Sequence, residues 1–114
     1  MVDELPFPLL RYDRLCRTAY SEAYLLSEGE EPLGRVDLHF GAAVVHAVLL
    51  VERDLDDAAV HDLIERIDGD LVWTADRPRD DFLVTVYRGH EVGMYSDEHG
   101  DELEGDEDEG AGRR

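Results

Sequence analysis

The side chains with the clearest potential for chemistry in this chain are five histidines, one cysteine and eleven arginines scattered among 29 acids. His39, His46, His61, His90 and His99 show neither the i, i+4 helical pairing nor the Cys/His spacing of a zinc site. His39 and His46 flank Gly41-Ala42-Ala43, and a hairpin there would set one imidazole against the other. With Asp37 or Glu52 beside them they would form a divalent-metal site of nitrogen and oxygen donors. The plainer expectation is one surface histidine and one hydrogen-bonded histidine. Cys16 stands alone, which excludes an intrachain disulfide and a thiolate zinc cluster. Arg14 and Arg17 beside it could favour a thiolate, but a packed, inert thiol is the simpler reading. Arg77 and Arg79 around Pro78 could hold a carboxylate or phosphate, although Asp76, Asp80 and Asp81 offset their charge. There is no Gly-rich phosphate loop, no G-x-S-x-G elbow and no H-E-x-x-H, so catalysis is not the expectation.

Charge narrows the choice of partner. The formal net charge is −18, and every base is arginine, since lysine, asparagine and glutamine are absent. Residues 97–114 hold nine acids and two arginines, so the body of the chain is itself strongly negative. Biased codon usage and a salt-rich cytoplasm, where ions screen self-repulsion, would each produce such a composition. Either way, direct nucleic-acid binding and docking on an anionic membrane are disfavoured, because both need a basic footprint. No run of about 18 apolar residues marks a membrane span, and an acidic start with no apolar stretch after it does not resemble a signal peptide. A cytoplasmic location is the expectation. No cofactor is implied; the acidic tail would associate weakly with divalent cations, without the ligand spacing of an EF-hand.

The elements that must position these groups follow from periodicity. Arg35–Phe40 alternates polar and apolar residues, as a half-buried strand does. Val44–Val51 is apolar almost throughout and predicts a central strand covered on both faces. Asp54 reads as the N-cap of a helix over 55–68, with Val60, Leu63, Ile64 and Ile67 as its apolar stripe. Gly69 falls where a left-handed C-cap residue belongs. Upstream, residues 1–11 read as an extended arm and Leu15–Glu28 as a strand, with a turn over Ser27–Pro32. Downstream, Leu71–Ala75 and Phe82–Tyr87 read as strands, and Gly89-His90 as a type II′ turn into a return strand over 91–95. The expected architecture is a single α+β domain over 1–96. Its sheet has five or six mainly antiparallel strands in β-β-β-α-β-β order, with the helix packed on one face. Residues 97–114 are expected to form a disordered acidic tail. The core should include Val36, Leu38, Phe40, Val45, Val48, Leu50, Val60, Leu63, Ile64, Ile67, Val84 and Val86.

One helix covers one face of such a sheet. The second face must be polar, crossed by the arm, or docked on another chain. Tyr20, Tyr24, Trp73, Tyr87 and Tyr95 are the aromatic residues available to furnish that contact. The functional expectation is therefore a small acidic interaction module or accessory subunit that binds a protein partner or forms a homodimer. Two alternatives stand beside it. One is a nucleic-acid mimic that fills the basic groove of another protein, and the other is a small metal- or ligand-binding domain built on His39 and His46.

Overall fold

The alternation in Arg35–Phe40 gives rise to the strand it predicts. In the computed structural model, which describes residues 7–75 and 79–97, that stretch closes β3, Glu31–Phe40, with Val36, Leu38 and Phe40 buried. β2 (Ser21–Glu28) and β4 (Val44–Val51) flank it, both antiparallel to it. β1 (Leu10–Arg17) pairs antiparallel with the outer side of β2, and β5 (Asp81–Arg88) lies parallel to β4. The sheet order is β1-β2-β3-β4-β5. A parallel neighbour cannot be reached through a tight turn. The chain between β4 and β5 accordingly crosses over through α1, Asp57–Ile67, which continues into a π turn, Asp68–Val72, and a 3-10 turn, Trp73–Ala75. The result is an α+β fold with one mixed sheet and one helical unit among the described residues.

The core lies between that unit and one face of the sheet. Leu63, Ile67 and Val72 pack with Val36, Leu38, Leu49 and Val51, all essentially removed from solvent. Polar ties fix the helix over the strands. The Tyr12 hydroxyl on β1 donates to Asp70 at 2.7 Å, and Arg66 donates to the Phe7 carbonyl at 3.0 Å. Burial, reinforced by the Asp70 carboxylate, pushes the Tyr12 phenol well above the ordinary tyrosine range. At the other end of the helical unit Arg79 pairs with Asp68 and stacks over Trp73 and Phe82, which anchors the chain before β5.

Several expectations give way here, each for a physical reason. The stretch Leu15–Glu28 is two strands, joined by a turn at 18–20 that contains neither Gly nor Pro. Thr18 makes that turn, its hydroxyl meeting the Ser21 hydroxyl at 2.7 Å and accepting from the Tyr20 amide. The supposed arm ends sooner, because Phe7 packs against the core and Leu10 opens β1; residues 1–6 lie outside the described residues. The N-cap is Asp56, whose carboxylate accepts from Ala59 at 2.9 Å, while Asp54 pairs with Arg88 instead. Gly69 does not terminate the helix in a left-handed conformation, since Gly29 is the one described glycine with positive φ. Leu71–Ala75 is not a strand. Ile67, Leu71 and Ala75 keep a four-residue apolar spacing, so the helical path carries on past the glycine. No return strand forms over 91–95, where Tyr95 makes a single isolated bridge.

β4 shows why an uninterrupted apolar run is ambiguous. It is covered on one face only, with Val45, Ala47, Leu49 and Val51 buried and Val48 on the opposite side 41% exposed. The expected core therefore loses Val48; Val86 faces the helix side beside Leu49 but on the edge strand is 37% exposed, and Leu50, Val60, Ile64 and Val84 are only half-buried. A strand's side chains alternate strictly, and a run apolar at every position carries no record of which parity faces the helix.

Two glycines give opposite expectations. A Cβ at Gly34 would lie 1.9 Å from the Leu50 carbonyl oxygen, in backbone that cannot retreat without disturbing the β3–β4 ladder. Gly34→Ala should therefore destabilise the fold by about 1–3 kcal/mol or more. A Cβ at Gly69 would meet nothing within 4 Å, and its backbone is not in the left-handed region. Gly69→Ala should be neutral or stabilising by up to about 1 kcal/mol. Urea midpoints of the two variants check both signs.

Candidate interaction surface

The face of the sheet turned away from the helix is a readable grid. Strand register sets three rows across it, from β2 to β5: Leu25–Arg35–Leu50–Tyr87, Ala23–Asp37–Val48–Thr85 and Ser21–His39–His46–Leu83. On β3 the row members are polar, and Arg35 donates to Asp37 at 2.7 Å. On β4 and β5 they are mostly apolar, and Leu83 and Tyr87 are 46% and 58% exposed. The open face is thus divided. A charged stripe on β3 borders an apolar strip that runs out to the β5 edge.

The segment after β5 bends over the first row. The Gly89 amide donates to the Val51 carbonyl at 2.9 Å, and a Cβ on Gly89 would touch Leu50 at 3.8 Å. Glu91 lies close enough to Arg35 to add to the field of Asp37, whose hydrogen bond holds the guanidinium pKa above its usual value. Gly89 therefore stays against β4, on the inner side of β5. Beyond it Val92, Met94 and Tyr95 are exposed.

The five aromatic residues expected to furnish one surface are dispersed. Tyr87 alone lies on the strip described. Tyr24 is buried on the helix-covered face, edge-on to Tyr12 with ring centres 6.1 Å apart. Its hydroxyl donates to Glu22 at 2.6 Å, and burial with that hydrogen bond raises its pKa. Tyr20 is exposed in the β1–β2 turn, Trp73 on the 3-10 turn and Tyr95 after β5. The surface residues that sequence reasoning missed are Leu25, Val48 and Leu83. Val48 was expected in the core, and only the parity of the strands places all three on the open face.

His39 and His46 are direct register partners, as the hairpin reading expects, and both are exposed on the open face. Asp37, two residues along β3, is engaged by Arg35, and Glu52 lies beyond the end of β4. Among the described residues no group of three or more His, Cys, Asp or Glu converges as a metal site. His61 projects from α1 into solvent, remote in register from the other two. Cys16 is exposed rather than packed, because the β1 ladder shifts between Arg14 and Cys16. Arg77, Pro78 and the acidic residues 98–114 lie outside the described residues.

On the helix side, a polar depression of about 260 Å³ is lined by Arg14, Arg17, Glu22, Tyr24, Leu71, Thr74 and Ala75. Arg17 is paired with Glu22, which also accepts from Tyr24, so most of its polar groups satisfy one another. No described helix is long and apolar enough to cross a membrane.

Charge pairing is incomplete. Arg11, Arg17, Arg35, Arg53, Arg66, Arg79 and Arg88 each engage a carboxylate, Arg66 meeting Asp70 rather than Asp62. Acids outnumber arginines 29 to 11, so most carboxylates have no arginine to pair with. Mutual repulsion then outweighs the exposed pairs, each worth at most about 1 kcal/mol. Raising KCl from near zero to about 0.15 M shortens the screening length to roughly 8 Å. The melting temperature should rise over that range, and a flat or falling midpoint would show that the pairs dominate.

No family model, curated protein or solved structure matches this chain.

Proposed function

We propose that this chain is a protein-interaction module that docks another protein on its open sheet face and has no catalytic chemistry of its own. The observation that carries this reading is the apolar strip of Val48, Leu50, Leu83 and Tyr87, set in register beside the Arg35–Asp37 pair. A contiguous apolar strip with a charged margin is the anatomy of a docking surface: the strip supplies the area to bury and the margin selects orientation. The high negative charge supports the same reading, since it raises encounter rates with a basic partner and suppresses non-specific aggregation through the strip.

Val48 stands near the middle of the strip, opposite Asp37 and Thr85. Val48→Lys places a charge there beside an acid and leaves the buried face untouched. The full chain and this variant should melt alike by circular dichroism. Affinity capture from the native cell extract should then recover a partner protein with the wild type and lose it about tenfold or more with the variant, the scale of a desolvated central contact. Recovery of the same proteins by both chains would contradict the proposal.

A further inference from the structure

The two edges of the sheet are unlike. β1 carries Arg11, Asp13, Arg14 and Arg17, and its ladder is broken by a register shift between Arg14 and Cys16. Charges and bulges are the devices by which an edge strand avoids pairing with another chain. β5 has neither. Its six interior residues, Phe82-Leu83-Val84-Thr85-Val86-Tyr87, are uncharged, its charges sit at the ends in Asp81 and Arg88, and its ladder with β4 is regular. The direction of its amides follows from one hydrogen bond. Gly89 donates to Val51 on β4, so by alternation the odd-numbered residues of β5 bond inward to β4. Phe82, Val84, Val86 and Arg88 direct their amides and carbonyls outward, the Phe82 amide donating to the Asp81 carboxylate at 2.8 Å. The residue that follows, Gly89, still bonds inward to Val51 and lies beside Leu50, and β5 is the last strand in the sheet order.

We infer that β5 pairs antiparallel with β5 of a second copy, about a two-fold axis through Thr85, to make one continuous ten-stranded sheet. The inference rests on the interaction-module reading and names one partner for the edge of the same surface. Symmetry restricts the register. Two antiparallel edge strands are related by a two-fold axis normal to the sheet, so paired residues must point to the same face and share parity. With the axis at Thr85, Leu83 faces Tyr87 of the partner on the open side. On the helix side Val84 faces Val86 of the partner, and Phe82 faces Arg88 of the partner. Thr85 meets its own counterpart in a non-hydrogen-bonded pair, where the Cα atoms approach to about 4.5 Å. Every exposed apolar residue of β5 thereby gains an apolar neighbour or, for Phe82, a guanidinium, and cross-strand pairs of these types stabilise sheets. A register moved by one pair would set Asp81 against Tyr87 and Leu83 against Thr85, which leaves Leu83 and Tyr87 without apolar partners. The charges of the two copies oppose association, so the dimer strengthens as KCl rises.

Sedimentation velocity of the full chain, from micromolar to millimolar concentration in KCl, should show a monomer–dimer equilibrium. Thr85 is exposed, so its substitution leaves each monomer folded, which circular dichroism verifies. Thr85→Lys and Thr85→Glu each place like charges face to face and should weaken self-association about tenfold or more. An equimolar mixture of the two should restore a dimer, now a mixed one, because the lysine of one chain meets the glutamate of the other. A monomer at every concentration, a dimer indifferent to either substitution, or a mixture that fails to recover would each overturn the inference. Capture of a partner through Val48 reports on β4, so the loss of one result leaves the other standing.

Discussion

The structure depends on one burial: Leu63, Ile67 and Val72 pressed onto the Val36, Leu38, Leu49 and Val51 face of a five-stranded sheet. Among the described residues a single helical unit is at hand to close the core. That unit cannot cover two faces. Its position, tied by Tyr12 to Asp70 and by Arg66 to Phe7, decides which parity of every strand is inside and which is left to solvent. The apolar strip on the open face is the direct consequence. β4 and β5 are apolar at both parities, so satisfying the core on one side strands Val48, Leu83 and Tyr87 on the other. An apolar side chain at such a position adds nothing to the monomer's core, which is the physical reason for assigning it to a contact.

Electrostatics complements that geometry. Almost every described arginine is engaged with a carboxylate, some on the same strand, as Arg35 with Asp37, and others between elements, as Arg53 with Glu28 and Arg88 with Asp54. The remaining acids give the molecule a strong field of one sign. Such a field keeps copies apart until ions screen it, and it favours partners of opposite charge. On the apolar strip, by contrast, charge is confined to the β3 stripe and to the ends of β5. Repulsion at a distance and cohesion at one edge are compatible, because the first is screened by salt and the second is short-ranged.

Much of this was legible in the residues, and the exceptions are instructive. Helix and strand types near Val36–Phe40 and Val60–Ile67 followed from period alone, since polar residues mark the exposed parity there. Where apolar residues are continuous, as in Val44–Val51, period conveys the strand but not its inner face, and Val48 was misplaced for that reason. The turn after Arg17 was hidden because side-chain hydroxyls of Thr18 and Ser21 build it without Gly or Pro. Gly69 looked like a stop because its neighbours are polar, while the spacing of Ile67, Leu71 and Ala75 already showed the helical path continuing. The aromatic residues chosen by type proved scattered, for surface position is a matter of strand parity and not of ring size. The pairing of His39 with His46 was legible, because two strands joined by a short turn have few registers available.

The most direct measurement of the claim that β5 is the edge at which another chain is met is residue-resolved amide hydrogen exchange. At high dilution Leu83, Thr85 and Tyr87 should exchange slowly, held by β4, while Val84, Val86 and Arg88 exchange fast. On concentrating the protein in KCl the second set should gain protection and the first set change little. Fast exchange of Val84 and Val86 at every concentration would contradict the account.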